Sequence, residues 1–271
     1  MAHKHLIFVG GLHRSGTTLL HEIIGSHPQI SAFSKTGVSK DEGQHLQKVY
    51  LPASTFGGPG RFGFDPRSFM DEHHVLATDD NAAKLMRDWS RYWDMSREFL
   101  LEKSPPNLVK TRFLQRLFPG CRFVILLRHP IAVAYATLKW SRTDIPTLIE
   151  HSLRCYERFI LDLPFLEHVF VLRYEDLVRR PQQHVDAIFR WIGIDSAPID
   201  AVVNTDINAA YFSRWRADLK TKPEASSPKW SGLLAAREEY EKRFRAIGYS
   251  MAELDSHLPV AWLGPQQRVG G

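Results

Sequence analysis

A glycine-rich stretch near the N-terminus carries residue types that bind anions. Residues 10–20 read GGLHRSGTTLL, which approaches the phosphate-binding pattern G-x-x-x-x-G-K-[ST], but Thr17 stands where that pattern has lysine. Peptide amides from Ser15 onward converge at an expected helix N-terminus, where the helix dipole favours negative charge. Arg14 is the cation of the stretch, and Thr18 adds a hydroxyl. The pattern predicts an anion site without the lysine that grips nucleoside triphosphates; a tight turn with threonine caps is the alternative.

Two further cations follow short apolar runs that predict buried strands. Arg128 comes directly after FVILL (residues 123–127), and Lys103 lies between a second apolar run and Ser-Pro-Pro. Ligands of α/β sheets gather at the carboxyl ends of parallel strands, so both side chains are expected at that edge. A guanidinium there can clamp a phosphate with two parallel hydrogen bonds. The alternatives are structural: Arg128 paired with a carboxylate, and an exposed Lys103 paired with Glu102.

Four segments, in chain order, resemble the sulfotransferases that use 3′-phosphoadenosine 5′-phosphosulfate (PAPS). FVGGLHRSGTTLL (8–20) resembles their 5′-phosphosulfate loop, with the R-S-G-T-T run of the tyrosylprotein branch. LEKSPPN (101–107) is similar to the E-K-[ST]-P stretch of heparan sulfate sulfotransferases. FVILLRHPIAVAYA (123–136) is similar to the strand–Arg–helix element that binds the 3′-phosphate, and RYEDLVRRP (173–181) to the Y-E-D-[LM] segment beside the adenine. Together the four segments span most of residues 6–181.

The resemblance assigns roles to individual residues. It implies that the loop holds the 5′ end of PAPS, that Arg128 binds the 3′-phosphate, that Tyr174 lies beside the adenine and that Lys103 contacts the transferring sulfuryl group. The implied loop ligands are Arg14, Ser15, Gly16, Thr17 and Thr18. Where the family has a serine eight residues after the arginine, this chain has Ala136, so the second 3′-phosphate ligand is left open between Thr137 and a backbone amide. A purely structural Tyr174 is an alternative.

The general base is the least defined part of the predicted site. Attack by an acceptor hydroxyl needs a group that takes its proton, typically glutamate or histidine. The family's positions for such a group fall here on Lys35-Thr36 and on Pro105-Pro106-Asn107, which supply neither. The segment SKDEGQHLQ (39–47) follows the first strand–helix unit and offers Glu42 first, His45 second and Asp41 third. A helix cap, a surface charge or a substrate contact is the alternative for each.

The expected reaction is transfer of a sulfuryl group from PAPS to a hydroxyl, or else to an amine, by in-line displacement in which protein cations rather than a metal neutralise charge. A small metabolite such as a phenol, lipid or polyketide is the expected acceptor. The Gly/Pro-rich loop 56–66 and the aromatic residues of helix 79–95 form either its pocket or ordinary core packing.

The basic segment 212–230 predicts a mobile lid or a solvated loop, with Arg214, Lys220, Lys222 and Lys229 as candidate ligands.

Two other functional classes stay open. A P-loop kinase needs the loop lysine and a magnesium-binding carboxylate at a strand end, where this chain has Leu127-Arg128. A non-catalytic relative would bind the nucleotide through Arg14 and Arg128 without transferring a group.

The order of the elements predicts an α/β fold. Short apolar runs predict strands, amphipathic stretches predict helices, and their alternation indicates a central parallel sheet covered on both faces. The expected architecture is a three-layer sandwich like the P-loop-containing nucleotide hydrolases, in a single domain over residues 1–271. Predicted strands are 6–9, 99–101, 123–127 and 169–172; predicted helices are 17–26, 79–95, 107–118, 131–140, 147–161 and 182–192.

Composition excludes several classes. The 271-residue chain has a net charge of +5 without a long basic run, which argues against a nucleic-acid-binding face. Its two cysteines and dispersed histidines predict neither a disulfide framework nor a metal site. Because no apolar run approaches ~18 residues, no membrane span is expected. We expect a soluble, cytoplasmic enzyme of bacterial type.

Overall fold

A mostly parallel sheet forms the middle layer of the protein. The computed structural model describes residues 4–199, 207–221 and 228–267. Within them, six strands lie in the order β2-β3-β1-β4-β5-β6, and β6 alone runs antiparallel to its neighbour. Their bounds are β1 His5–Gly11, β2 Ile30–Ala32, β3 Phe99–Lys103, β4 Arg122–Leu127, β5 His168–Arg173 and β6 Gly264–Gln267.

Helices cover both faces of the sheet, so the three-layer α/β prediction is confirmed. Side chains alternate along each strand, which gives one apolar cluster per face; in β1, Phe8 packs on one side and Val9 on the other. The α-helices of the described residues are α1 Thr17–Gly25, α2 Asp79–Trp89, α3 Thr111–Leu117, α4 Pro130–Thr137, α5 Ile145–Asp162, α6 Tyr174–Arg179, α7 Pro181–Ile192, α8 Ile207–Thr221, α9 Pro228–Ala235 and α10 Arg237–Ala246. Helices α1, α6 and α7 pack on the Val9 face.

The strand register brings the predicted site residues to one edge. Val9 of β1 pairs with Lys103 of β3, Gly11 pairs with Leu126 of β4, and Leu127 pairs with Arg173 of β5. The carboxyl ends of these four parallel strands therefore meet, and the residues that follow them are neighbours. This is the edge at which α/β sheets bind ligands.

The four predicted strands are confirmed, and the helix bounds need correction. The predicted helix 79–95 ends at Trp89, because the chain then turns to let the Trp93 Nε1 donate to the Leu101 carbonyl at 2.9 Å. The predicted helix 107–118 is split, since the two prolines open a 3₁₀ turn, Pro105–Val109, before α3. The loop 56–66 contains 3₁₀ turns. Strands β2 and β6 and helices α6, α8, α9 and α10 were not predicted.

The segment predicted to be a basic lid or loop is helical where it is described. Phe212, Trp215 and Trp230 are buried, and the two tryptophan rings stack with their centroids 5.6 Å apart. These aromatic side chains anchor α8 and α9 to the core, which a mobile loop would not require. Lys222 lies outside the described residues. The single-domain assignment stays a prediction.

Candidate active site

The glycine-rich loop joins β1 to α1 in a left-handed turn. Arg14 and Gly16 have φ angles of 71° and 101°. A Cβ on Gly11 would lie 2.7 Å from the Ser15 Oγ, so only glycine lets the loop fold back this closely. Ser15 is fully buried, and its hydroxyl has no hydrogen-bond partner among the described residues. The Ser15 hydroxyl is therefore available to hydrogen-bond a ligand bound in the loop.

Arg128 and Tyr174 follow the carboxyl ends of β4 and β5, and both side chains pack against this loop. The Arg128 Nη1 donates to the Arg14 carbonyl at 2.8 Å, and the guanidinium lies 4.2 Å from the centroid of the Tyr174 ring. A Cβ on Gly16 would come within 2.5 Å of that ring. Tyr174 is only 5% exposed, so Arg128 and the loop cover much of its surface. The structural alternative for Tyr174 therefore gains support alongside the predicted place beside an adenine.

The remaining edge of the Arg128 guanidinium meets a residue that sequence reasoning missed. Arg128 donates from Nε at 3.0 Å and from Nη2 at 2.6 Å to the Oδ1 of Asn208 in α8. The structural alternative for Arg128, a carboxylate partner, is therefore not found in these contacts, because the acceptor is an amide oxygen. Asn208 and Tyr174 line a cavity of about 350 Å³, here called the Tyr174 cavity, together with Glu175, Val178, Arg179, Ala209, Phe212, Leu254, Asp255 and His257.

One of the two candidate second ligands of a 3′-phosphate, the Thr137 hydroxyl, already has a hydrogen-bond partner. Ala136 is buried, and the Thr137 hydroxyl donates to the Val133 carbonyl of its own helix at 2.7 Å. The side chains of the candidate lid cations contact other groups: the Arg214 guanidinium lies over the Tyr135 ring, and the Lys229 ammonium donates to Asp144. Lys220 is exposed.

Lys103 is buried and paired with Glu42, not exposed and paired with Glu102. Its side chain is 0% exposed, its Nζ donates to the Lys40 carbonyl at 2.7 Å, and the Glu42 Oε1 lies 3.4 Å away. Burial lowers the pKa of Lys103 below its ordinary value, and the negative charge of Glu42 opposes that shift. The Gln44 Nε2 donates to the second Glu42 oxygen at 2.5 Å.

One cavity brings the loop together with two of the three base candidates. A cavity of about 260 Å³, here called the Glu42 cavity, is lined by Arg14, Thr17 and Thr18 of the loop and by Glu42 and His45. Its other lining residues are His13, Ser39, Lys40, Gln44, Ala53, Ser54, Pro59, Pro105 and Trp140. The His45 Nε2 and the Glu42 Oε2 are 3.9 Å apart.

Asp41, the third candidate, faces a different space. It accepts hydrogen bonds from the Thr36 N–H at 2.8 Å and the Thr36 hydroxyl at 2.6 Å. Asp41 lines an open groove of about 760 Å³ that also includes Thr18, His21 and Lys35, but neither Glu42 nor His45. The structure therefore places Glu42 and His45 in one cavity with Arg14, Thr17 and Thr18, whereas the groove of Asp41 includes only Thr18 of the loop.

A buried network behind Lys103 was also missed. Glu102 is fully buried; the Ser104 hydroxyl donates to its Oε1 at 2.6 Å and the Asn107 amide donates to its Oε2. Ser104 in turn accepts from the Gln44 N–H at 2.8 Å, which ties the end of β3 to the turn that carries Glu42. Burial raises the pKa of Glu102 to about 7. The stretch E-K-S-P-P-N contained this signal, since three of its polar residues form the network.

His13, inside the loop, is a second residue that the motif contained but sequence reasoning passed over. It lines the Glu42 cavity, and its Nδ1 is buried without a partner among the described residues. Burial, reinforced by the charge of Lys103, lowers the pKa of His13 to about 4 although Glu42 opposes the shift. At neutral pH the imidazole is therefore uncharged and can accept or donate one hydrogen bond per nitrogen.

The two segments that could form the acceptor pocket, the aromatic helix and the loop 56–66, have different surroundings in the structure. Trp89 and Trp93 are buried and donate to the carbonyls of Gly43 and Leu101, which confirms the interpretation as core packing. From the loop 56–66, Pro59 lines the Glu42 cavity.

Over the described ranges, no helix combines the length and apolarity that a bilayer span requires. Nor does that part of the chain contain a group of three or more His, Cys, Asp or Glu side chains arranged to hold a metal ion.

Comparisons with known proteins identify the family of the chain. A model described as "Sulfotransferase family" matches residues 7–198. Protein-tyrosine sulfotransferase 2 of Gallus gallus is 25% identical over 205 residues, which cover 70% of this chain and 51% of that protein. Nodulation protein NoeE of Sinorhizobium fredii is 27% identical over 233 residues, covering 72% and 51%. The chain thus spans about half the length of these curated relatives.

A solved structure shares the fold. The crystal structure of sulfotransferase STF9 from Mycobacterium avium superposes with a TM-score of 0.53 at 14% identity, over 95% of this chain and 78% of that one. At this identity the likeness concerns the architecture of the sheet and its helices.

Proposed function

The chain belongs to the sulfotransferase family, and from that premise we propose that it transfers a sulfuryl group from PAPS to a hydroxyl of a small acceptor. One observation carries the proposal. The Glu42 cavity unites the anion-binding loop with a carboxylate, Glu42, that is paired with the buried cation Lys103. An anion site, a proton acceptor and a fixed positive charge are the three groups that such a transfer needs.

The loop fits the 5′ end of PAPS. Its unpartnered Ser15 hydroxyl, the amides at the start of α1 and the exposed Arg14 guanidinium all donate, and none needs a metal to bind an anion. Arg128, which contacts the loop at the Arg14 carbonyl, would bind the 3′-phosphate, with Tyr174 beside the base. PAPS supplies an activated sulfuryl group when it is bound.

Glu42 would take the proton of the acceptor hydroxyl, and His45 is the other candidate in the same cavity. As the acceptor oxygen forms its bond to sulfur, the bond from sulfur to the 5′-phosphate oxygen breaks and charge grows on that leaving oxygen. Lys103 would stabilise this charge from a fixed position, because its ammonium is held by the Lys40 carbonyl and by Glu42. The proton ends on Glu42 and the electron pair on the bisphosphate product.

The acceptor proposed is a small alcohol or phenol with an apolar body. The Glu42 cavity measures about 260 Å³, and Ala53, Pro59, Pro105 and Trp140 give it apolar walls. Trp140 is 67% exposed, so an apolar surface borders the cavity. The similarity to a protein-tyrosine sulfotransferase favours a second candidate, the phenol of a tyrosine within a peptide.

Radiolabelled transfer tests the proposal. The protein is incubated with ³⁵S-labelled PAPS and a panel of phenols, aliphatic alcohols, amines and tyrosine peptides, and Glu42→Gln serves as the matched control. We expect label in a phenol or alcohol with the wild type and not with the variant. Thermal shifts with adenosine 3′,5′-bisphosphate, AMP and ATP–Mg distinguish the other classes. Stabilisation by ATP–Mg alone would indicate a kinase, and bisphosphate binding without transfer to any acceptor a non-catalytic relative.

A further inference from the structure

Asn208 occupies the edge of Arg128 at which a phosphate would bind. Both Nε and Nη2 of the guanidinium donate to the Asn208 Oδ1, at 3.0 and 2.6 Å. This pair of nitrogens is one of the edges that grip two phosphate oxygens in bidentate recognition. A neutral amide oxygen therefore holds the position that an anion would take.

The other surfaces of Arg128 are already used. Its Nη1 donates to the Arg14 carbonyl at 2.8 Å, and the rings of Tyr174 and Tyr211 lie 4.2 and 5.6 Å from the guanidinium carbon. Arg128 is 5% exposed, so a ligand has few routes to it. The edge held by Asn208 is thus where a phosphate and this amide compete.

The orientation of the Asn208 amide is fixed by its partners. Arg128 only donates, so it must face the amide oxygen, and the Asn208 Nδ2 donates to the Glu175 Oε1 at 2.7 Å. Glu175 is held in turn by the His129 N–H at 3.0 Å and by the Tyr249 hydroxyl at 2.9 Å. The amide is therefore clamped between a cation and a carboxylate that is itself immobilised.

We propose that Asn208 limits the affinity for a 3′-phosphorylated nucleotide, because it occupies the phosphate edge of Arg128 until the 3′-phosphate displaces it. The inference rests on the proposed function, because it takes Arg128 as the 3′-phosphate ligand. A doubly charged phosphate competes successfully with a neutral amide oxygen for a guanidinium, whereas a nucleotide without that phosphate leaves Asn208 in place. The displaced side chain has room in the Tyr174 cavity, which it already lines.

Calorimetric titration of the wild type, Asn208→Ala and Asn208→Asp with adenosine 3′,5′-bisphosphate and with AMP tests this competition. Removing the competitor in Asn208→Ala should raise bisphosphate affinity about five- to tenfold and leave AMP affinity unchanged. The carboxylate of Asn208→Asp should hold Arg128 more tightly and repel the phosphate, so bisphosphate affinity should fall more than tenfold. Weaker or unchanged bisphosphate binding by Asn208→Ala, or an equal change for both nucleotides, would overturn the inference.

Two controls separate this inference from its premise. Ser213→Ala changes an exposed residue of the same helix and should alter neither affinity. In an Arg128→Lys background, Asn208→Ala should no longer raise bisphosphate affinity, and a persistent gain would contradict the competition. If the wild type does not prefer the bisphosphate to AMP, the proposed function fails. If it does prefer it through Arg128 but Asn208→Ala shows no gain, only the role of Asn208 fails.

Discussion

Lys103 contacts Glu42 of the Glu42 cavity, and Arg128 contacts Asn208 and Tyr174 of the Tyr174 cavity. The surroundings of these two cations, here called the Glu42 region and the Tyr174 region, differ in the charge of the cation's partner. In the Glu42 region, the ammonium of Lys103 is wholly buried and has an anionic partner, Glu42, at 3.4 Å. In the Tyr174 region, the described hydrogen-bond partners of Arg128 are neutral: a backbone carbonyl and the Asn208 amide. The charge of Lys103 is therefore balanced by its partner, whereas the charge of Arg128 is not balanced by the groups that it contacts.

This difference matches two chemical tasks. A group that stabilises charge during a reaction works best when it is already oriented and does not rearrange, which a buried ion pair ensures. A group that captures and releases an anion works best when its resting partner is weak. Four variants test whether the Glu42 region serves catalysis and the Tyr174 region serves nucleotide binding.

The largest effect is expected from Glu42→Gln. If the Glu42 region serves catalysis alone, loss of the proton acceptor should lower kcat about 1,000-fold, while the dissociation constant of adenosine 3′,5′-bisphosphate changes less than about threefold. Asp41→Asn is the matched control, because Asp41 lines the outer groove and should keep kcat within about tenfold of the wild type. A larger loss in Asp41→Asn than in Glu42→Gln would show that the wrong carboxylate has been assigned.

Glu102→Gln tests how the buried network behind Lys103, which supports the Glu42 region, contributes to stability at different pH values. The folded pKa of about 7 lies above the ordinary value of 4.5, so between these pH values the folded protein binds a proton that the unfolded chain has lost. Wild-type stability should therefore fall relative to the variant by up to about 3 kcal/mol from pH 4.5 to 7, then stay level. Urea unfolding of both proteins across this range measures the difference; a pH-independent difference would argue against a protonated Glu102.

Arg128→Lys addresses the Tyr174 region. A lysine keeps the charge but loses the two-pronged edge, so bisphosphate binding should weaken about 50-fold and AMP binding should barely change. At saturating donor, kcat should stay within about tenfold of the wild type. A loss of kcat at saturation as large as that of Glu42→Gln would mean that the two regions do not divide their tasks.

The smallest effect, a loss of stability, is expected from Gly16→Ala in the loop that borders both regions. Gly16 and Gly193 both have positive φ angles, but only at Gly16 would a Cβ meet a ring, that of Tyr174 at 2.5 Å. Gly193→Ala is thus the control for backbone strain, about 1 kcal/mol, and Gly16→Ala should cost about 1 kcal/mol more. Thermal unfolding measures both; equal losses would show that Tyr174 yields without cost.

Sequence reasoning located the residues that lie at strand ends, because an apolar run followed by a cation defines both position and chemistry. Lys103 and Arg128 were placed at one edge in this way, and the register of the parallel strands puts the carboxyl ends of β3 and β4 at that edge, on either side of β1. The alternative for Lys103, an exposed side chain paired with Glu102, is wrong, since the adjacent Glu102 lies in a buried network and Glu42 reaches Lys103 from another segment.

Contacts made across long stretches of chain were beyond the sequence pattern. Asn208 is 80 residues from Arg128, on a helix whose weak apolar periodicity did not predict it. Tyr249, which helps to fix Glu175, is 74 residues away from it. Such pairs depend on how helices pack over the sheet, which no local spacing encodes.

One of the two strands that were not predicted, β6, has a consequence for association between copies of the chain. By pairing antiparallel with β5 from His168 to Val171, it covers backbone donors and acceptors that would otherwise stand open at the rim of the sheet. At the opposite rim, β2 contains only three residues, and its Ser31 hydroxyl is already taken by the Asp94 N–H. The sheet therefore ends at both rims in strands of only three and four residues, and such short edge strands are poor templates for pairing with another chain.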